Sequence, residues 1–240
     1  MTNTDERSDS PSAAAAMYLE AMFELAEDDL ELVQARLADR LGISRPAVSE
    51  MVRRLVRDGY VVIDDRRLAF TDEGRAIAET AVRRHRLVER LLVDVLGLGW
   101  AEAHELAGEW QSVIDDRTEH AIIDVLGAPT TCPHGNPIPG AGYEQPGLVT
   151  LADLVVGDAA RVHRVTEQLE VEPGMLVALE RAGMVPGTTV RVTSISPDGS
   201  LAVKASKAVL ALSVSTARGI LVTPGDLSAI SDQVAGRTQA

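Results

Sequence analysis

Apolar and polar positions follow a helical period through the first half of the chain and switch to short alternating runs in the second. Val33 to Leu41 predicts a short helix with Leu37, Ala38 and Leu41 facing inward. Gly42 supplies a tight turn, and Ser44 is a good N-cap for a second helix from Arg45 to Arg57. Pro46 falls in the first turn of that helix, where a missing amide hydrogen costs little. Gly59 then stops it, and Tyr60 to Ile63 and Leu68 to Phe70 predict a hairpin around Asp64, Asp65, Arg66 and Arg67. Two helices across a tight turn followed by a hairpin predict a winged helix-turn-helix.

Thr71 caps a long helix expected from about Asp72 to Leu96, with Ile77, Ala81, Leu87, Val88, Leu91, Leu92 and Val95 apolar. A second helix is expected from about Trp100 to Leu126, with Ala103, Leu106, Ala107, Trp110, Val113, Ile114, Ile122 and Val125 toward a partner. Two such helices bury little as a pair, so a two-fold dimer is the natural use of the remaining apolar surface. Residues 127–146, GAPTTCPHGNPIPGAGYEQP, read as a Gly- and Pro-rich connector. Its Cys132 and His134 carry metal-binding groups, although a lone Cys-x-His in such a loop more often serves structure. Beyond it, RVHRV at 161–165, TVRVTSIS at 189–196, LAVKA at 201–205 and GILVT at 219–223 are β-rich, with one helical segment between them and turns at Pro186-Gly187 and Asp198-Gly199. Short strands at this spacing make a small barrel. The expected fold is therefore mainly α with small β: a winged helix-turn-helix over 13–71, a helical dimerisation domain over 72–127, a linker over 128–147 and a small barrel over 148–226. Residues 1–12 and 229–240 are polar or small without period and are assigned no structure.

Composition narrows the class. In 240 residues with 45% hydrophobic content, no apolar run approaches membrane-spanning length, and MTNTDERSDSPSAAAA has neither the basic start nor the apolar core of a signal peptide. A single cysteine rules out an internal disulfide framework, and the default compartment is the cytoplasm. A net charge of −13 is unlike a generic nucleic-acid binder, so local distribution has to carry that case. Residues 33–57 hold six arginines (36, 40, 45, 53, 54 and 57) against Asp39 and Glu50, a balance of +4, whereas residues 1–32 hold nine acids against Arg7, a balance of −8. The second helix of the helix-turn-helix is thus a basic patch on an acidic body, which lowers non-specific affinity and leaves specific contacts to decide placement.

The first residues of that helix meet base edges in such a motif, here Ser44, Arg45, Pro46, Ala47, Ser49 and Glu50. Pro46 and Ala47 suit thymine methyls, the two serines suit phosphates or bases, and Glu50 can accept from cytosine N4. Arg53, Arg54, Arg66 and Arg67 are better placed for the phosphate backbone. A dimer would set two such helices on a palindromic operator in double-stranded DNA.

His85 and Glu89 stand four apart on the first long helix and leave one face of it, and His104 follows on the next helix. Two imidazoles and a carboxylate suit a borderline divalent cation. MYLEAMFEL at Met17 to Leu25, the winged helix, the paired histidine helices, CPHGNPIPG at Cys132 to Gly140 and the small barrel occur in one order and spacing. Together they resemble the diphtheria-toxin-repressor family of metal-dependent transcription regulators over nearly the full chain, the barrel resembling that family's SH3-like domain and ferrous-iron-transport accessory proteins. The resemblance implies a homodimeric DNA-binding regulator, a repressor by family habit, answering to Fe2+ or Mn2+, with Zn2+, Co2+ and Ni2+ compatible with the donors. It implies a first metal site from His85, Glu89, His104 and a glutamate of the C-terminal domain, here Glu172, with Met175 near a further ligand position. The family's second, activating site takes a residue on the first helix, a Cys or Glu four residues past the second histidine, and a Glu-His pair just beyond. The corresponding residues are Met17, Gly108, Gln111 and Ser112, of which Met17 alone is suited to remain a ligand. Rebuilding that site would draw on Glu20, Glu105, Glu109 or Asp115. Three behaviours then stay open: activation through the first site alone, DNA binding independent of metal, or response to another ligand. Many members also carry an uncharged amide where Glu50 stands, which bears on operator preference.

Two other classes fit less of the chain. A metal-dependent hydrolase could use the His/Glu donors, but no Ser or Cys nucleophile pairing and no glycine-rich phosphate loop accompany them, and the winged helix would go unexplained. An interaction module built on the barrel would not need the basic helix. The reading from sequence is a regulator and not an enzyme.

Overall fold

The computed structural model describes residues 11–224, which divide into two compact units: one takes the chain through His85 together with 108–121, the other takes 86–107 and the chain from Ile122 onward. The divisions fall inside helices, so three helices contribute a segment to each unit. The expectation of no structure for residues 1–10 and 229–240 lies outside the described residues, as do 225 and 226 at the end of the expected barrel.

In the first unit, α1 (Ala13–Glu27) starts where the Ser12 side chain accepts from the Ala15 N–H at 3.3 Å. It is followed by α2 (Gln34–Leu41), α3 (Arg45–Arg57), β1 (Val61–Asp64) and β2 (Arg67–Phe70). Gly42 ends α2 with φ of 62°, a left-handed conformation that glycine adopts without a Cβ penalty, and this turns the chain into α3. Leu19, Met22, Leu37, Val48, Val52 and Leu55 are each at most 1% exposed and form the centre of the core. Val48, Val52 and Leu55 fix which face of α3 points inward, so Arg45, Glu50, Arg53, Arg54 and Arg57 are left in solvent.

The wing is longer than the pattern predicts. Asp64 pairs with Arg67 in the β1–β2 ladder, so the turn is only Asp65 and Arg66, both with positive φ (47° and 97°) as a two-residue hairpin turn requires. The Leu68 N–H donates to the Leu32 carbonyl at 2.8 Å, which ties the wing to the segment before α2.

The first long helix also differs in its last turn. α4 (Asp72–Arg90) is α-helical with the Gly74 N–H capped by the Thr71 hydroxyl at 3.0 Å, and it continues as a π-helical turn over Leu91–Val95. The single helix expected over 100–126 is instead two: α5 (Trp100–Trp110) and α6 (Asp116–Leu126), with a 3-10 turn over Gln111–Val113 between them. The break follows from local polar chemistry. Ile114 is extended, and the Asp115 carboxylate accepts from the Thr118 N–H at 2.8 Å, starting a new helix where the periodic apolar pattern suggested continuity.

Within the first unit the Glu119 carboxylate of α6 accepts from Arg83 Nε at 2.5 Å and Arg84 Nε at 2.8 Å of α4. Burial, which alone would raise the Glu119 pKa, is outweighed by the Arg84 and Arg83 guanidiniums, and the carboxyl is held below its usual range. A group lowered in the folded state adds stability above its unfolded pKa and loses it as pH falls through the folded value. Glu119→Gln is therefore expected to cost about 1.5–3 kcal/mol at neutral pH, and denaturant titrations of the two proteins should converge in acid. A constant gap across the pH range would show that the charge is not what matters.

The second unit contains a six-stranded sheet in the order β3-β8-β4-β5-β6-β7, from β3 (Val149–Thr150), β4 (Ala159–Val165), β5 (Thr189–Ile195), β6 (Leu201–Lys204), β7 (Val209–Leu212) and β8 (Ile220–Pro224). The four strands read from sequence are present, and β3 and β7 join them. Neighbouring strands in this order are antiparallel throughout. Short helices α7 (Glu167–Glu170), α8 (Met175–Ala182) and α9 (Val214–Arg218) lie between strands. The core packs Trp100 with Leu151, Val162, Val165, Leu179, Met184, Val192, Ile220 and Val222. A register shift in β4 between Val162 and Arg164 turns Arg164 inward beside Val165, which matters for the loop described next.

Candidate metal centre

The Pro-rich loop after α6 is a folded part of the second unit. The Cys132 N–H donates to the Asn136 carbonyl at 2.8 Å, the Gly135 N–H to the Cys132 carbonyl at 3.0 Å, and the Val165 N–H of β4 to the His134 carbonyl at 2.8 Å. Inward-turned Arg164 donates to the Asn136 side-chain oxygen, and the Asn136 amide donates to the Val165 carbonyl at 3.0 Å and to Glu170. Arg86, fully buried on α4, donates to the Pro137 carbonyl and to the Glu167 carboxylate at 2.7 Å.

Held this way, the loop and α7 bring several ionisable groups to Glu89 and His104. His104 Nδ1 lies 2.9 Å from Glu89 Oε1 and 3.3 Å from Glu170 Oε2. His134 Nδ1 lies 3.0 Å from the same Glu170 oxygen, 3.5 Å from the same Glu89 oxygen and 3.8 Å from the Cys132 sulfur. The edge of the Trp100 ring covers His134 with centroids 4.6 Å apart. Burial alone would lower the His104 pKa, but hydrogen bonds and charge from Glu170 and Glu89 overcome it and push it up to about 11. His134 is raised as well, burial being outweighed by Glu170 and Glu89. Glu170 is held down at about 2: burial opposes this, and the His134 and His104 imidazoles prevail. Burial, reinforced by Glu89 and Glu170, raises the Cys132 thiol well above its usual range.

Several sequence expectations change here. The carboxylate that reaches His104 belongs to Glu170, not Glu172. α7 ends at Glu170, and Glu167 and Glu170, three apart, are both buried on its inward side, while Glu172 follows Val171 beyond the helix end and is half-buried. Met175, considered near a further ligand position, packs against the barrel core. Cys132 and His134 were weighed as metal-binding groups and read as structural, and Glu170 was not considered; the signal available for it was the i, i+3 pair of acids in TEQLE, masked by the acid two residues on.

His85, one turn before Glu89 on α4, has its own partners in the first unit. Its Nδ1 meets Gln111 Oε1 at 2.8 Å, and the Gln111 amide donates to Glu20 Oε2 of α1 at 2.7 Å. Gln111 is thus a hydrogen-bond bridge rather than a blank. The other second-site positions offer no comparable group: Met17 is 40% exposed, Gly108 has no side chain, and the Ser112 hydroxyl donates to the Glu109 carbonyl at 3.1 Å. Of the candidates for rebuilding, Glu20 alone is buried, and Glu105, Glu109 and Asp115 are exposed.

The expected DNA-reading residues lie where a groove can reach them. Ser44 is the N-cap residue of α3, without a side-chain cap bond, and Arg45, Pro46, Ala47 and Glu50 are exposed, with Ser49 half-buried. Arg53 donates to the Ser49 carbonyl at 3.1 Å, and Arg54 lies 3.5 Å from Asp58. At the wing Arg66 is exposed, while Arg67 pairs with Glu31 at 2.6 Å. Arg40, counted in the basic patch, turns inward to Glu24 at 2.5 Å and does not add to the exposed charge.

Comparison with known proteins agrees with this arrangement. Residues 12–69 match the N-terminal DNA-binding domain of iron-dependent repressors, residues 71–140 their metal-binding and dimerisation domain, and residues 149–224 the FeoA domain. The iron-dependent repressor IdeR of Mycobacterium tuberculosis is 40% identical over 199 residues, covering 78% of this chain and 86% of that protein. The diphtheria toxin repressor of Corynebacterium glutamicum is 40% identical over 186 residues, covering 73% and 82%. A solved manganese-dependent transcriptional repressor in complex with manganese superposes with a TM-score of 0.77 at 31% identity, covering 88% of this chain and all of that one. A winged helix, a buried His/Glu centre and an FeoA-type SH3-like domain in one chain, with relatives at this identity, place the protein in the diphtheria-toxin-repressor family of metal-dependent DNA-binding transcriptional repressors.

Proposed function

We propose that this protein is a homodimeric repressor whose grip on a palindromic operator rises when a divalent ion, Fe2+ or Mn2+ foremost, joins His85, Glu89, His104 and Glu170, and that it works in the cytoplasm without enzymatic activity. In this reading residues 13–71 read DNA, 72–127 pair two copies and carry metal ligands, 128–147 connect, and 148–226 supply the closing carboxylate. The donors fit such an ion: Glu89 and Glu170 are two carboxylates at 1% and 5% exposure sharing one imidazole, an arrangement that a dication neutralises. A bound ion would supply the positive charge that fixes these carboxylates and imidazoles in one geometry.

The single observation that carries a metal-responsive reading, despite the altered second site, is the bridge from His85 through Gln111 to Glu20. Glu20 stands on α1, whose Glu24 pairs with Arg40 of α2, so the first-site histidine is joined by side chains to the helix-turn-helix. α4 itself begins at the wing, where the Thr71 N–H donates to the Tyr60 carbonyl at 3.0 Å and the Thr71 hydroxyl to the Gly59 carbonyl at 2.8 Å. Orienting His85 therefore acts on the elements that seat α3. Exposed apolar Trp110 and Val113 at the end of α5 are surface a second copy would cover.

DNA shift assays with genomic fragments test the DNA half of the proposal. Arg45→Ala is expected to cost about 1–3 kcal/mol and to relax preference at one operator position, whereas Arg53→Ala should weaken all sequences alike and reduce the salt slope by about 1. Unchanged binding by both variants would remove α3 as the reading helix.

A further inference from the structure

The sheet of the second unit presents a charged face that the proposed function leaves unused. Its six strands contain no aspartate or glutamate, in a chain with 36 acids against 23 lysines and arginines. Val162, Val190, Val192 and Val203 point into the core, which leaves Arg161 of β4, Arg191 of β5 and Lys204 of β6 on the opposite side. The strand register brings these three cations together. Arg191 stands directly opposite Lys204, and Arg161, opposite Thr189, is one diagonal step from Arg191. Positions so related lie about 5–8 Å apart, and like charges directly opposite destabilise a sheet. Lys207, in the turn after β6, is a fourth exposed cation.

No acid relieves this repulsion. Among the described residues Arg161, Arg191, Lys204 and Lys207 have no carboxylate partner, and Arg191 Nη1 donates to the Gly157 carbonyl at 2.6 Å. Arg45, Arg57 and Arg66, on the DNA-reading helix and the wing, are unpaired in the same way, whereas Arg83, Arg84, Arg86 and Arg90 are each bound to a carboxylate. His163, two residues past Arg161, is held below the usual imidazole range by burial and then by Arg161, as a positive field requires. A surface that keeps mutually repelling cations without acids is suited to a polyanion.

We infer that Arg161, Arg191, Lys204 and Lys207 form a second DNA-binding surface, which holds the phosphate backbone of double-stranded DNA without regard to sequence. The inference rests on the DNA-binding reading above and is independent of the metal. A face three strands wide with neighbours on both sides is too broad for a major groove about 12 Å across, so its side chains meet phosphates and not base edges. Its use is to offset the low non-specific affinity that a net charge of −13 imposes, with or without a bound ion.

Lys204 and Lys207 are the chain's only lysines, so they report without a variant. Limited acetylation of the full-length protein, read by mass spectrometry, should lose most of its labelling at both when saturating duplex DNA is added in low salt, and regain it in high salt. The Arg161→Gln/Arg191→Gln/Lys204→Gln variant gives the magnitude. Three lost phosphate contacts should make the slope of log affinity against log salt shallower by about 2.7, so the parent loses about fortyfold more affinity than the variant between 50 and 200 mM salt. The change should be alike for operator fragments with Mn2+ and for non-operator DNA in chelator. Melting no lower than the parent's is expected, since apposed cations are removed. Labelling indifferent to DNA, or a parental salt slope in the variant, overturns the inference. Labelling that falls with protein concentration in the absence of DNA also overturns it, by assigning the face to an acidic surface of a second copy. If metal still raises DNA affinity in either case, the proposed function stands while this surface falls; a parent that binds no DNA under any condition removes both.

Discussion

Glu89→Gln is expected to abolish high-affinity metal binding while leaving the fold intact. Glu89 is 1% exposed, and its Oε1 is approached by His104 at 2.9 Å and His134 at 3.5 Å, so like Glu170 it is a carboxylate common to both imidazoles. The amide has the same shape but carries no charge and is a far weaker donor to a dication. Its loss should lower metal affinity by at least about a hundredfold, roughly 2.7 kcal/mol, and remove the metal-induced gain in DNA affinity. Calorimetric titration with Mn2+ and Co2+ reads the first effect, and DNA shift assays at saturating metal for the parent read the second. A Gln variant with the parent's metal affinity would take Glu89 out of the site.

Gly135→Ala should be the most destabilising single change in the C-terminal unit. Gly135 has φ of 93°, and a Cβ there would stand 2.1 Å from the His163 carbonyl oxygen of β4. Backbone rather than a movable side chain blocks the space. Relief requires pulling the loop off the strand, which breaks the His134 to Val165 bond and displaces the Cys132 and His134 side chains together. A cost above about 4 kcal/mol is expected, equivalent to about 15 °C in the melting of this unit. Melting within a degree or two of the parent would mean that the loop is not seated on β4 as described.

The helix-turn-helix was legible because its signals are local: a periodic apolar face, Gly42 at the turn, Ser44 and Pro46 at the start of α3. The break between α5 and α6 was not, because an apolar period running across Gln111–Val113 reads as continuous helix, and the decisive contact is the Asp115 carboxylate on the Thr118 N–H. Part of the geometry of the candidate centre was legible for the same reason. His85 and Glu89 are an i, i+4 pair that the helix alone brings to one face. The C-terminal carboxylate depends on where α7 ends, a shift of two residues that sequence spacing does not fix, and so Glu172 was expected where Glu170 stands. The role of Gln111 was hidden more deeply, since a neutral residue at a ligand position reads as a loss until its two partners, His85 and Glu20, are seen on either side. Charge counting overstated the exposed positive charge of the helix-turn-helix in one place: Arg40 contributes to the +4 balance in sequence but pairs with Glu24 inside the unit.

Whether DNA affinity depends on metal tests the central claim most directly. The purified full-length protein would be titrated against fragments of its own genome with a chelator, then with Mn2+, Fe2+, Co2+, Ni2+ or Zn2+ restored singly. Binding that is weak in chelator and recovers on adding one of these ions is the predicted result. Equal affinity with chelator and with every metal would contradict it, leaving a family fold that holds its operator without metal control.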